Sequence, residues 1–146
     1  MTDYMQIALK EAKKAMKKGE VPIGAVIVIG DKIIAKGRNS REKTQNALAH
    51  AEVNAIKKAC QKMKSWRLDN AEIYVTLEPC PMCAGAIANA RIRKIIYAAE
   101  DTTSQDDLCK QICESNRLNH KVKFEQGDHT DEAKELLKTF FKERRK

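Results

Sequence analysis

No run of 18 apolar residues occurs in this chain, which excludes a membrane-spanning helix. The N-terminal stretch lacks the apolar core of a signal peptide and carries a charged helix pattern instead, so export is not expected and the cytoplasm is the expected compartment. No internal repeat or low-complexity linker breaks the sequence, and its 146 residues predict one domain over 1–146 with a real core. Acidic residues are in deficit: 20 Asp and Glu against 28 Lys and Arg leave a formal net charge of +8. That sign draws a protein to polyanions, nucleic acid first among them, although excess lysine can equally serve to solvate a surface. In a reducing compartment a disulfide framework is not expected, so the five cysteines read as metal ligands or free thiols.

Two short segments carry the chemistry, His50-Ala51-Glu52 and Pro79-Cys80-Pro81-Met82-Cys83. Two cysteines three apart at the start of a helix can reach one ion, and His50 from a second helix supplies a third ligand. Zinc held by three protein ligands keeps its fourth position open for water, which is the catalytic arrangement. Bound water of lowered pKa is then available as hydroxide near neutral pH. Glu52 is not needed as a ligand and stands close enough to shuttle protons. The competing reading is a closed four-ligand structural site that recruits another cysteine such as Cys60, which leaves Glu52 without a role.

Around these segments the sequence predicts alternating elements. Apolar positions at helical spacing (Met5, Ala8, Leu9, Ala12, Ala15, Met16) predict a helix over 3–18 that ends at Gly19. The β-branched run 23–29 predicts a buried strand, Gly30-Asp31 a two-residue turn, and 32–37 its antiparallel partner. Residues 38–49 read as a polar loop walling the site, with Asn39 as a candidate for a base edge or for capping its own loop. A helix is expected over 50–63, with His50 and Glu52 in its first turn. Trp66 reads as a packing residue over a helix end, with base stacking the alternative. Strands are expected over 71–77, 94–99 and 121–126. Helices are expected from Pro81, over 106–115, and from Thr130, with Thr130 as cap. Cys109, Cys113 and His120 could form a second metal site or remain buried thiols and a lone imidazole. The order predicts an α/β fold: a three-layer α/β/α arrangement on a central five-stranded mixed sheet, with the two metal-bearing helices side by side.

The order His-x-Glu, then Pro-Cys-x-x-Cys, is the known signature of the zinc-dependent nucleobase deaminases, and it is by this known pattern that the chain is recognised. It resembles the cytidine-deaminase-like family over nearly its whole length, and within it the bacterial tRNA-specific adenosine deaminases. The resemblance is carried by Glu20 to Val26, Gly37-Arg38-Asn39, Ala49 to Glu52, Trp66-Arg67-Leu68, Tyr74 to Ala86, Asn119-His120, and Leu137 to Phe141 with the basic tail. It implies one zinc per subunit on His50, Cys80 and Cys83, catalysis by Glu52, and substrate contacts at Asn39, Ala51 and Asp101. It also implies a homodimer acting on a tRNA anticodon stem-loop, converting wobble adenosine to inosine. One stretch departs from the pattern. Where the family carries a Lys- and Gly-rich loop, Asp101 is followed here by Thr102-Thr103-Ser104-Gln105-Asp106-Asp107. With Tyr97 to Thr102, this stretch resembles the guanine deaminases of the same fold. A free nucleobase or nucleoside substrate therefore stays open, as does a non-catalytic zinc-binding partner.

Overall fold

The apolar run after Pro22 becomes the middle of the sheet. In a computed structural model that describes residues 2–102 and 107–144, it forms β1 (Gly24–Ile29), buried at all but its last residue. β1 pairs antiparallel with β2 (Lys32–Arg38) across the Gly30-Asp31 turn, and on its other side with β3 (Ala71–Leu77). β4 (Lys94–Ala99) and β5 (Lys123–Gln126) add in parallel, so the order is β2-β1-β3-β4-β5. The expected five-stranded mixed sheet is present. Its last strand begins later than position 121, because the Val122 N–H is taken by the Cys113 carbonyl.

Alternation along β1 divides the core in two. Val26 and Val28 face α1 (Tyr4–Lys17) and α6 (Thr130–Arg144), packing with Leu9, Ala98 and Ala133. Ala25 and Ile27 face the opposite layer of α3 (Ala51–Met63), α4 (Pro81–Asn89) and α5 (Leu108–Glu114). Helices therefore cover both faces, and α3 packs beside α4 as one shared ion demands. Two glycines allow this close stacking. A Cβ on Gly24 would lie 2.0 Å from the Ala8 carbonyl oxygen, and one on Gly37 would lie 2.3 Å from that of Ala51.

Several expectations are corrected. The loop 38–49 contains a helical turn, α2 (Arg41–Thr44). Its first N–H groups are received by buried Glu20, at 3.1 Å from Glu42 N and 2.8 Å from Lys43 N, so the cap comes from outside the loop. His50 precedes α3 as its N-cap and is not in its first turn. Trp66 is 58% exposed, and Leu68 takes the buried position in its place. The Thr130 hydroxyl donates to the Ala98 carbonyl at 2.7 Å, tying α6 to β4 instead of capping its own helix. Residues 103–106, including the expected start of α5 at Asp106, and residues 145 and 146 of the basic tail lie outside the described residues.

Candidate active site

Each candidate metal-binding side chain arrives at or near the end of an element. The loop after β2 delivers His50 with an extended backbone (φ −79°, ψ 157°), outside helical periodicity. β3 runs through Glu78-Pro79 to Cys80, the N-cap of α4, and Pro81 fills the first turn, where its missing N–H costs nothing. Cys83 follows, fully buried.

The three ligand atoms lie within 4.8 Å of one another. His50 presents Nδ1, 3.7 Å from Cys80 Sγ and 3.5 Å from Cys83 Sγ. Tetrahedral zinc, with Zn–S of about 2.3 Å and Zn–N of about 2.0 Å, would span an S···N edge of roughly 3.5 Å. The donors already stand at that separation. Two sulfurs and one imidazole suit zinc, and among the described residues no fourth donor joins them.

The electrostatics favour a cation. The Cys83 thiol donates to Cys80, and this holds Cys80 down at about 5 against its burial, helped by the first-turn N–H groups and His50. Cys83, keeping the shared proton, is pushed well above the usual thiol value. Glu52 is only 4% exposed. Burial drives its carboxyl up to about 7; its own backbone N–H opposes the rise, the Cys80 charge adds to it, and the Cys83 thiol opposes it. A carboxyl poised near neutrality can both take and give a proton at working pH.

Asn39 and Ala51 meet in one bond: the Ala51 N–H donates to Asn39 Oδ1 at 2.7 Å. Asp101 follows β4, where its N–H donates to Glu78 Oε1 at 3.2 Å. It lines a cavity of about 550 Å³ with Glu78, Glu100, Asp107, Lys110 and Glu125. Burial and then the neighbouring carboxylates raise Glu78, partly countered by the Asp101 N–H. Sequence reasoning passed over Glu78 as a link between the two strand ends, although it immediately precedes Pro79-Cys80. His120 Nε2 lies 2.8 Å from the Ile92 carbonyl, while Cys109 and Cys113 are buried thiols on α5. The three do not come together as a second metal group among the described residues.

Residues 1–145 match the family model of the MafB19-like deaminases. The tRNA-specific adenosine deaminase of Bacillus subtilis (strain 168) is 46% identical over 144 residues, covering 98% of this chain and 89% of that protein. The chain belongs to the tRNA-specific adenosine deaminase family. Its fold is that of the cytidine-deaminase-like enzymes. A solved structure from work on A-to-I editing by tRNA:A34 deaminases at the wobble position superposes on this family member with a TM-score of 0.86. It is 37% identical, with 92% of this chain and 98% of that one covered. The Bacillus subtilis guanine deaminase is more distant in shape, with a TM-score of 0.68 at 35% identity, over 100% of this chain and 96% of that one. Within the family frame, the His50-Cys80-Cys83 group is the metal-binding candidate and Glu52 its buried neighbour.

Proposed function

We propose that this protein is a zinc-dependent hydrolytic deaminase that converts adenosine to inosine at the wobble position of tRNA anticodon loops, acting in the cytoplasm as a homodimer. The observation that carries the reading is the 46% identity to a tRNA-specific adenosine deaminase across nearly the full length of both chains. His50, Cys80 and Cys83 would hold one zinc, which when bound supplies a water acidic enough to serve as nucleophile at neutral pH. Glu52 would take a proton from a water molecule onto its carboxylate as the water oxygen bonds to the carbon that bears the amino group, and would hand that proton to the adjacent ring nitrogen. A second proton passes through the same carboxyl to the departing nitrogen, which leaves as ammonia. Burial around Glu52 excludes bulk water from this exchange. The Ala51 N–H fixes the Asn39 amide, whose NH2 is then turned to acceptors on the base edge, and Asp101, which follows β4 at the same end of the sheet, is a further substrate contact.

The substrate is a splayed-out base in a polyanion, which the +8 net charge suits. For the homodimer, α4 offers an uncharged face: Met82, Gly85, Ala86 and Asn89 are not fully buried, and a Cβ at Gly85 would meet nothing within 4 Å. A second reading, guanine deamination, is favoured by the acidic cavity at Asp101 and by the likeness to the Bacillus subtilis guanine deaminase. A non-catalytic zinc-binding partner would not need the buried acid/base group that Glu52 provides. Glu52→Ala tests the mechanism: the variant is expected to fold, hold zinc and lose at least about 10²-fold in turnover. Full residual turnover would remove Glu52 from the reaction.

A further inference from the structure

Between Glu52 and Asp69 the chain carries five cations, Lys57, Lys58, Lys62, Lys64 and Arg67, and no carboxylate. Lys57, Lys58 and Lys62 are exposed on α3, and none of them enters an ion pair among the described residues. α3 lies over β2, the edge strand, whose Ala35 and Gly37 face the helix. Between helix and strand opens a cavity of about 400 Å³ lined by Arg38, Ser40, Asn54, Lys57, Lys58 and Gln61, with no carboxylate.

This cavity is rich in donors. Asn54 Nδ2 donates to the Arg38 carbonyl at 2.8 Å and to Ser40 Oγ at 3.0 Å, which leaves the Ser40 hydroxyl hydrogen to give. Lys58 Nζ is held against the Lys36 carbonyl at 3.2 Å. The Arg38 guanidinium is not among these donors, because it pairs with Glu11 of α1 at 3.2 Å on the other face of the sheet. The cavity also lies close to the metal group. At a rise of 1.5 Å per residue, Lys57 and Lys58 stand about 11 Å from His50 along α3, and Lys62 about 18 Å.

We propose that this edge, from the Arg38–Asn54–Lys58 cavity along α3 to Lys62, binds the sugar-phosphate backbone of the RNA stem that adjoins the edited loop, with one phosphate seated in the cavity. The proposal rests on the RNA-editing reading above. Phosphate contacts of this kind fix register without reading sequence, so the stem is anchored while a loop base enters the metal site.

The test compares deamination of an anticodon stem-loop with that of an unpaired oligonucleotide of the same loop sequence. Three zinc-loaded proteins are used: wild type, K57Q/K58Q, and the charge-matched control K10Q/K134Q, whose exposed lysines sit on α1 and α6 across the sheet. K57Q/K58Q is expected to raise KM for the stem-loop about tenfold at physiological salt. It should also flatten the slope of log kcat/KM against log salt by about 1 to 2. Its loss on the unpaired oligonucleotide should be several-fold smaller, and the control should reproduce neither effect. Wild-type kinetics for K57Q/K58Q on the stem-loop would overturn the proposal and leave RNA editing standing. So would equal losses on both RNAs, or the same losses in the control. A wild-type protein that edits neither RNA would overturn the RNA-editing reading, and this proposal with it.

Discussion

Alanine at Gly37 would press a methyl group into the backbone of α3. The added Cβ would stand 2.3 Å from the Ala51 carbonyl oxygen and 2.6 Å from the Ala55 nitrogen, where ordinary contact begins at 3.4 Å. Both are main-chain atoms with no rotamer to yield, so the start of the helix must withdraw by roughly 1 Å. Gly37 has no positive φ, so the collision is the whole effect. Overpacking of this kind costs about 1–3 kcal/mol. For a domain of this size that is a fall in Tm on the order of 4–12 °C. The functional loss should be larger in proportion, because the displaced turn carries His50 while Cys80 and Cys83 stay with α4. A misplacement of about 1 Å can cost on the order of 10²-fold in rate. Thermal melts, zinc content after dialysis and turnover together test this. A Gly37→Ala protein with wild-type Tm, zinc content and rate would refute the idea that this contact sets the metal site.

Cys83→Ser should lose its zinc-dependent stability: chelation lowers the wild-type Tm but leaves the variant unmoved. The wild-type increment is about 2.7 kcal/mol when free zinc is a hundredfold above Kd. The His129–Asp3 contact, with His129 Nε2 2.7 Å from Asp3 Oδ2, predicts a pH-dependent link between α6 and the start of α1. Asp3 raises His129 above its ordinary 6.5, so the contribution is complete below that value and fades as pH climbs through the raised one. His129 in turn holds Asp3 below its ordinary 3.8, so the pair also weakens in strong acid. Asparagine tolerates the positive φ of 66° at position 129. The Tm gap between wild type and His129→Asn should therefore be wide at pH 5–6 and nearly closed at pH 9; a gap independent of pH would refute the ion pair.

The strands and the metal trio were legible because each rests on local pattern. β1 is a β-branched run closed by a Gly-Asp turn, and His-x-Glu with Cys-x-x-Cys is a spacing that one ion can read. What escaped depends on groups distant in sequence. α2 is capped by Glu20, more than twenty positions earlier. Thr130 has the composition of a helix cap, but the Ala98 carbonyl of a neighbouring strand claims its hydroxyl. Trp66 looks like the core residue of its connection by size alone. Leu68, with its N–H on the Ala90 carbonyl, is the one turned inward, leaving the indole outside with the guanidinium groups of Arg67 and Arg91 within 5.7 and 5.5 Å of its ring. The expectation that His50 and Glu52 share the first turn of one helix assumed regular periodicity from position 50. His50 is instead an extended N-cap, and only Glu52 lies in the first turn of α3.

The most direct measurement is product analysis on the zinc-loaded protein given, in parallel, an anticodon stem-loop with adenosine at the wobble position and free guanine. Inosine in the stem-loop, with guanine unchanged, is the predicted result. Deamination of guanine with every adenosine in the RNA intact would contradict the tRNA-editing function.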